Sequence, residues 1–484
     1  MVAVTANARY IHTALGLRYL VAALQEAGRT PDLMELTIEE RAADAVEKIL
    51  ARKPDAVLLG VHIWNTGLMT EIAALIRRLR PSVALVAGGP EVSYQPETHP
   101  IFPWVDTIVG GEGEEAIVRV LRDLEKGTSS PKMLRASPPD LTRIPLPYHL
   151  YTDEDIRHRV LYFETSRGCP LRCEFCLSAL DEKVRRFPEE RVLGALDSLW
   201  QRGARQFKFV DRALHLGAAE PLLDYFLEKR DPAVFLHFEV IPDRLPEALI
   251  SRLAQFPKGR VQLEAGIQTL NEAVAARISR KQNTSKALET LASLRSRTGV
   301  HLHADLVVGL PGETLASFAD GFNRLFALGL HEIQVGILKK LRGALIARHD
   351  DEHRMVYNPE PPYDILENRD IDFTVMQQLK RFSRFFDLVC NRGNFRHLIP
   401  LLIDGDAPFD RLWHISSYLY EKTGRCHSIA LGRLAEMLRS YAVDEKGIAP
   451  SEVSRAVEAG ARTAGRASRG DEMKGIPARQ QRHL

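Results

Sequence analysis

The sequence has few cysteines, no long apolar run and almost no net charge. Only five cysteines occur in 484 residues, and the formal charge is +2. Apolar runs are short and broken by charged residues, so we expect neither a membrane span nor a secretory leader. So small a net charge gives no reason to expect a nucleic-acid partner. The scarcity of cysteine argues against a disulfide framework and indicates a reducing, cytoplasmic compartment.

Three of the five cysteines nevertheless lie together. Cys169, Cys173 and Cys176 are spaced C-x-x-x-C-x-x-C, and residues 164–168 separate them from an apolar strand predicted over residues 160–163. Thiolates bind iron–sulfur clusters well, and three from one loop can hold three irons of a cubane while the fourth iron stays open. Gly168 would let the backbone approach such a cluster. The alternatives are three unligated thiols or a zinc site, which would want a fourth ligand closer than His158.

Residues 1–126 alternate strand-like and helical segments, which predicts a parallel sheet covered on both faces, a doubly wound, flavodoxin-like α/β domain. The predicted strands cover residues 2–5, 33–36, 56–63, 83–87 and 107–109. No G-x-G-x-x-G follows the first strand, so a nicotinamide cofactor is not expected. The residues that stand out at the strand ends are Asn7, Arg9, Tyr10, His12, Trp64, Asn65, Gly88, Gly89, Pro90, Glu91, Gly111, Glu112 and Gly113. Their glycines either give a large flat ligand room or only make tight turns.

The rest of the chain divides into four segments. Residues 127–159 are rich in Pro, Ser and Asp, which predicts a surface linker. Residues 160–345 repeat six strand–helix units, which predicts an incomplete, TIM-type (βα)6 barrel with its working face at the carboxyl ends of the strands. Residues 346–442 predict a helical C-terminal domain, and residues 443–484 a disordered tail. The six barrel strands are predicted over residues 160–163, 206–210, 235–240, 261–265, 302–308 and 333–338.

The cysteine loop resembles that of the radical SAM superfamily, in which this spacing holds a [4Fe-4S] cluster and the open iron binds S-adenosylmethionine. Later strand ends are similar too. The sequence departs from the family at Val210-Asp211-Arg212, where Gly-Gly-Glu is usual, and at Gln268, where glutamate is common. Helix capping is the alternative role for each acidic residue. The resemblance implies S-adenosylmethionine contacts from Phe175, Asp211, Glu264, Gln268, Gly309 and Leu310.

The first domain resembles the cobalamin-binding domain that precedes the radical domain in one large group of this superfamily, because G-G-P and G-x-G-E turns end its strands. Up to about residue 440 the chain resembles class B methyltransferase-like members with a helical C-terminal extension. The resemblance implies that cobalamin contacts the polar and glycine residues named above at the strand ends. His12 and His62 lack the aspartate two residues earlier that marks a cobalt-ligating histidine, so no protein ligand below the cobalt is expected.

The resemblance therefore implies a cobalamin-dependent radical SAM enzyme that methylates an unactivated carbon of a small-molecule or lipid substrate. One S-adenosylmethionine would methylate cobalamin and a second would generate the hydrogen-abstracting radical, with electrons from an external flavodoxin or ferredoxin. The alternatives are a non-methylating reaction (ring contraction, cyclisation or dehydration) and a sensor or electron-transfer protein. Methylthio transfer to tRNA would require further cysteines before Cys169, and the sequence has none there.

Overall fold

Two parallel sheets of six strands organise the chain, one after the other. The computed structural model describes residues 1–128, 130–181, 183–214 and 216–469. Strands and helices alternate along both sheets, so the predicted α/β architecture is confirmed.

The first sheet has the strand order β2-β1-β3-β4-β5-β6, and all its pairings are parallel. One apolar layer forms against helices α2 and α3, and a second forms on the opposite face against α1 and α4, so the sheet is doubly wound. The strands are β1 Val2–Asn7, β2 Asp32–Thr37, β3 Ala56–Gly60, β4 Ala84–Gly88, β5 Thr107–Gly110 and β6 Met133–Arg135. The helices are α1 Leu15–Glu26, α2 Ala42–Leu50, α3 Thr66–Leu79 and α4 Glu114–Glu125.

The segment after this domain is more ordered than the sequence predicted. Strand β6 lies inside the expected surface linker, where its backbone pairs with β5 and completes the sheet. Tyr148 is buried and stacks on Phe163 of the barrel, with ring centroids 4.0 Å apart. Helix α5, Asp153–His158, begins with a capping box between Thr152 and Asp155. The prediction of an irregular surface linker over residues 127–159 is therefore wrong for these parts, because β6 pairs its backbone with β5 and Tyr148 packs into the barrel core.

The second sheet has the order β14-β13-β12-β11-β10-β7, again with all strands parallel. Strands β7 and β14 stand at its two ends, so the six units form an open barrel, as predicted. The antiparallel pair β8 and β9 brackets the cysteine loop. The strands are β7 Leu161–Phe163, β8 Ser166–Arg167, β9 Arg185–Arg186, β10 Gln206–Phe209, β11 Phe235–Val240, β12 Val261–Gln268, β13 His301–Val308 and β14 Glu332–Ile337. The helices are α6 Glu189–Gln201, α7 Leu216–Lys229, α8 Glu247–Leu253, α9 Glu272–Arg277, α10 Thr284–Arg297 and α11 Leu315–Phe326.

The C-terminal region is helical, as predicted, and it covers the β14 end of the barrel. Asn391 hydrogen-bonds both the N–H and the carbonyl of Ile333, which satisfies the exposed edge of that strand. Phe322 of α11 packs against Phe382 and Phe409. The elements are α12 Asp350–His353, β15 Val356–Tyr357, β16 Ile365–Glu367, α13 Phe373–Phe386, α14 Ile399–Leu402, α15 Pro408–Thr423, α16 Leu431–Ser440 and α17 Pro450–Arg469.

Helix α17 falls within the segment that was expected to be disordered. Val453 is fully buried, and Gly460 lies so close to Asn394 that a Cβ at position 460 would come within 2.5 Å of the Asn394 carbonyl oxygen. The prediction of disorder from residue 443 is therefore wrong for residues 450–469, and residues 470–484 lie outside the described part. None of the described helices is both long and apolar enough to cross a lipid bilayer.

Buried ion pairs fix the first domain to the start of the barrel. Glu35 of β2 accepts from Arg18 at 2.8 Å and from Arg159 at 2.6 Å. Arg18 also reaches Asp155 of α5 at 3.1 Å. Because removing one partner would leave a buried charge uncompensated, these four residues hold the two domains in one arrangement.

Candidate active site

The cysteine loop closes one end of a cavity at the carboxyl side of the barrel strands. Cys169, Cys173 and Cys176 all line this cavity, whose volume is about 130 Å³. The Cys176 N–H bonds to the Cys173 carbonyl at 3.0 Å, which curls the loop so that the thiols converge. Gly168 has φ +93°, and a Cβ there would lie 2.3 Å from the carbonyl oxygen of Lys183. This glycine is therefore required by the neighbouring backbone.

Without a metal, two of the three cysteines are disfavoured as thiolates. Burial raises the pKa of Cys169 and of Cys173. Arg280 opposes this effect at Cys173, because its Nη1 donates to the Sγ at 3.1 Å. Iron would stabilise all three thiolates, since metal binding displaces thiol protons. Three soft donors in one cavity fit three irons of a [4Fe-4S] cluster.

Charged side chains from several strand ends form the cavity wall. They are Arg212, Glu239, Glu264, Arg280 and Asp305, three carboxylates and two guanidinium groups. Burial raises the pKa of Glu239 to about 7, so this carboxyl group is partly protonated at neutral pH. A small ligand that carries both charges would find partners for each on this wall.

A second polar layer lies below the wall, inside the barrel. A Glu264 carboxylate oxygen lies 2.9 Å from His237 Nε2 and 3.7 Å from Lys208 Nζ. Burial opposes ionisation of Glu264, but these two partners hold its pKa below the usual range. Burial also disfavours protonation of His303, yet Asp305 at 3.1 Å, with Glu264 nearby, raises its pKa to about 9. Neighbouring buried side chains thus control the charges of the Glu264 and Asp305 carboxylates.

Gln268 reaches the cavity through a local irregularity in β12. The register with β13 shifts between Gly266 and Gln268, and Gln268 has φ +70° in the left-handed region. A bulge of this kind re-aims a side chain, and backbone strain of this kind is concentrated at functional sites. Of the six residues that the resemblance implied for S-adenosylmethionine, Gln268, Glu264 and Phe175 line the cavity.

The other three implied residues lie elsewhere. Asp211 is buried, and its carboxylate accepts from the hydroxyls of Thr165 at 2.7 Å and Ser166 at 2.6 Å, so it supports the strand that leads into the cysteine loop. Gly309 packs against the C-terminal region, where a Cβ would come within 2.6 Å of Ile365, and Leu310 is fully buried. In the described structure these three residues do not line the cavity.

Sequence reasoning missed Arg212, Glu239, Arg280 and Asp305. A signal existed for Glu239 and Asp305, because each is a charged residue within a strand whose neighbours are buried and apolar. The sequence carries no signal for Arg280, because this residue lies in the loop after α9, far from Cys173 in the chain, and the two come into contact only in the folded protein.

At the strand ends of the first domain, most of the candidate residues are engaged with their neighbours. The contacts are Asn7 to Glu35 at 3.1 Å, His12 to Tyr162 at 2.8 Å, Asn65 to the Ala6 carbonyl at 2.9 Å, Glu91 to Tyr363 at 2.6 Å, and Glu112 to Arg167 and Arg185. Several of these partners belong to the barrel or to the C-terminal region. Such contacts set the position of the first domain over the cysteine loop.

Two aromatic rings remain exposed at these strand ends. Tyr10 is 52% and Trp64 is 48% exposed, although each side chain also makes one hydrogen bond. Gly89, with φ +117°, would place a Cβ 2.3 Å from the Val61 carbonyl, so here the glycine makes a tight turn. Exposed rings beside side-chain-free turns fit a large, flat ligand such as a corrin. Arg9 is exposed, and Gly111 has a positive φ. Gly88 is the last residue of β4, Pro90 begins the turn that follows it, and Gly113 is the N-cap of α4.

Family models match three successive parts of the chain. A B12-binding domain matches residues 1–121, and the Radical SAM superfamily matches residues 163–325. A protein family of unknown function, DUF4080, matches residues 351–457. The three matches correspond to the first sheet, the open barrel and the C-terminal helical region.

Individual proteins are also similar to this chain. The cobalamin-dependent radical SAM methyltransferase TokK of Streptomyces tokunonensis is 27% identical over 352 residues, which cover 64% of this chain and 50% of TokK. The chain thus spans about half the length of this curated relative. The methyltransferase TsrM of Kitasatospora setae superposes with a TM-score of 0.62 at 17% identity, over 75% of this chain and 79% of TsrM. The cobalamin-dependent radical enzyme OxsB superposes at 0.64 with 14% identity, over 96% and 81%. The superpositions on TsrM and OxsB establish the fold.

Proposed function

We propose that this chain methylates an unactivated carbon of a small-molecule or lipid substrate. It belongs to the cobalamin-dependent radical SAM proteins, whose cofactors are a [4Fe-4S] cluster, S-adenosylmethionine and cobalamin. One observation carries the proposal: three thiols share a cavity with carboxylates and guanidinium groups, at the face of an open barrel to which a B12-binding domain is tied. When bound, the cofactors supply one-electron cleavage of S-adenosylmethionine and a carrier for its methyl group.

The cavity wall supports a role in holding S-adenosylmethionine. This ligand has an ammonium, a sulfonium and a carboxylate group. Glu239, Glu264 and Asp305 suit the positive groups, and Arg212 suits the carboxylate. Arg280 holds Cys173 and also donates to the Gly266 carbonyl, so it couples the cysteine loop to the bulge that presents Gln268.

The contacts between domains support a shared reaction site. Glu112, in the turn after β5, pairs with Arg167 and Arg185, which lie in the two short strands that bracket the cysteine loop. A corrin against Tyr10 and Trp64 would be fixed relative to the cluster through this interface. Fixed spacing between two reactive groups is what converts their encounter into an intramolecular step.

The proposal includes an external one-electron donor of the flavodoxin or ferredoxin type, since none of the described side chains is a redox centre that could feed the cluster. It also includes a cytoplasmic location, because a reducing compartment keeps three adjacent cysteines available for iron.

Two products of S-adenosylmethionine report on the proposal before any substrate is known. The full-length protein, reconstituted anaerobically with iron, sulfide and cobalamin, is reduced and incubated with S-adenosylmethionine labelled in its methyl group. We expect both 5′-deoxyadenosine, from radical cleavage, and S-adenosylhomocysteine, from methyl transfer. The matched control is the same protein without cobalamin, which should still form 5′-deoxyadenosine but no S-adenosylhomocysteine.

The same assay separates the other functions. 5′-Deoxyadenosine alone, with cobalamin bound, would favour a non-methylating radical reaction. Neither product, from protein with a full complement of iron and cobalamin, would favour a sensor or an electron-transfer protein. In substrate screens, a product without the methyl label would exclude methyl transfer.

A further inference from the structure

A second group of metal-binding side chains lies outside the cysteine cavity. His349 ends a 3-10 turn after the last barrel strand, and Glu352 and His353 belong to the short helix α12 that follows it. One ring nitrogen of each histidine and one carboxylate oxygen of Glu352 lie within 4.8 Å of one another. The spacing His-x-x-Glu-His places all three donors on one side of about one helical turn.

His353 lacks the hydrogen bonds that a buried imidazole normally makes. Its side chain is 1% exposed, and neither ring nitrogen has a hydrogen-bond partner within the described part of the chain. Nε2 lies 3.6 Å from Glu352 Oε1, and Nδ1 lies 3.7 Å from Asp370 Oδ2. This buried oxygen makes no hydrogen bond to the described residues and lies 3.6 Å from Arg369. Buried polar groups without partners are uncommon and costly, and a bound ion would satisfy the ring nitrogen that faces Glu352.

His349 is oriented in the way that metal-binding histidines commonly are. Its Nε2 hydrogen-bonds Glu174 Oε2 at 2.8 Å, and Glu174 is buried. In a metal-bound histidine, the ring N–H that does not face the metal usually donates a hydrogen bond to a carboxylate, which fixes the orientation of the ring. Asp370 stands in the corresponding place beside Nδ1 of His353. Each histidine therefore has a carboxylate within 4 Å of one of its ring nitrogens.

We infer that His349, Glu352 and His353 form a site for one divalent transition-metal ion of the Zn²⁺ class. Two imidazoles and a carboxylate suit zinc, and three protein ligands leave a fourth position for water. Tetrahedral ligands about 2.1 Å from an ion are roughly 3.4 Å apart, so the donors must move together by about 1 Å. Glu352 can supply this movement, since its side chain is largely exposed.

The site would connect the C-terminal region to the cysteine loop. Glu174 stands between Cys173 and Cys176, and it contacts both His349 and Arg348. An ion held by His349 would thus brace the carboxylate that anchors the outer side of this loop. The inference does not depend on methyl transfer, because it concerns side chains that do not line the cavity.

Metal analysis of the full-length protein tests the inference. After anaerobic reconstitution with iron and sulfide, the protein is equilibrated with zinc, passed over a desalting column and analysed for both metals. We expect one zinc per chain beside the iron. His353→Phe fills the same space without a ligand atom and should bind zinc at least about 100-fold more weakly, with its iron content unchanged. Glu352→Gln alters an exposed side chain, so it should fold normally and bind about tenfold more weakly. His414→Phe removes an exposed histidine elsewhere and should have no effect.

Cobalt then identifies the ligands. In the variant with Cys169, Cys173 and Cys176 all replaced by alanine, one equivalent of Co²⁺ should give visible bands of a four-coordinate nitrogen and oxygen site. Zinc binding that disappears with the cysteines, or that persists undiminished in both His353→Phe and Glu352→Gln, would overturn the assignment. So would the absence of zinc from the reconstituted wild-type protein.

Discussion

The two parallel sheets present their candidate cofactor residues in different ways. In the barrel, three thiols and five charged side chains converge on one cavity, and most of them are at least half-buried. In the first domain, Asn7, Asn65, Glu91 and Glu112 are tied to neighbours, and two exposed rings remain. A cluster is held by specific donor atoms, whereas a flat ring is held mainly by shape and backbone. Residue identity is therefore more informative in the barrel than in the first domain.

Replacing one cluster ligand should have the largest effect. Cys173→Ala leaves two thiols, so we expect the iron content to fall. We also expect the rate of S-adenosylmethionine cleavage to drop by at least about 100-fold, which exceeds the usual loss when a residue that only supports a metal ligand is replaced. Iron analysis and 5′-deoxyadenosine formation measure this. Cys426→Ala changes a cysteine that does not line the cavity and serves as the control. Normal iron and cleavage in Cys173→Ala would contradict the cluster assignment.

The contrast between the sheets also explains what could be predicted from the sequence. The six barrel strands and the cysteine loop were identified because buried parallel strands form apolar runs and because three clustered cysteines are rare. Strand β6 was missed, since three residues within a proline-rich stretch give no periodicity. Arg280 and the partners of Glu112 could not be found, because each contact joins residues far apart in the chain.

Glu239 provides a test of the buried cavity wall through stability. Burial raises its pKa from the ordinary 4.5 to about 7 in the folded protein, so the folded state binds this proton more tightly than the unfolded chain does. Its contribution to stability is thus fully present below pH 4.5 and is lost as the pH rises through about 7. Glu239→Gln keeps the neutral form at every pH. At pH 8 we expect the variant to be more stable by up to about 3 kcal/mol.

Denaturant unfolding of the cofactor-free proteins at pH 5, 6, 7 and 8 measures this difference. The advantage of Glu239→Gln should grow from pH 5 to about pH 7 and then level off. Glu289→Gln, at an exposed position on α10, should show no such trend and is the matched control. A constant difference across the range would mean that Glu239 is already ionised in the folded protein at the lowest pH.

Removing an exposed ring should have a moderate effect on the first domain. If Trp64 lies against the corrin, Trp64→Ala should weaken cobalamin binding about tenfold, since a buried aromatic contact contributes on the order of 1.4 kcal/mol. Equilibrium dialysis followed by the visible spectrum of the corrin measures retention. Phe373→Ala removes a ring that is 50% exposed on α13 and should leave retention unchanged. Equal retention in the two variants would place the corrin away from Trp64.

Arg280 should give the smallest effect, and it tests whether the barrel tunes its cluster through a single side chain. Its Nη1 donates to Cys173 Sγ at 3.1 Å, and hydrogen bonds to cluster sulfur raise the reduction potential because they stabilise the added electron. In Arg280→Gln we expect a potential more negative by tens of millivolts, with the iron content retained. Redox titration followed by electron paramagnetic resonance measures the shift. Arg244→Gln removes an exposed arginine whose guanidinium bonds the Lys281 carbonyl and does not line the cavity, and the potential of this variant should match the wild type. An unchanged potential in Arg280→Gln would show that Arg280 does not tune the cluster and serves to hold the Gly266 carbonyl. The cavity, like the first domain, would then bind its cofactor mainly through its shape.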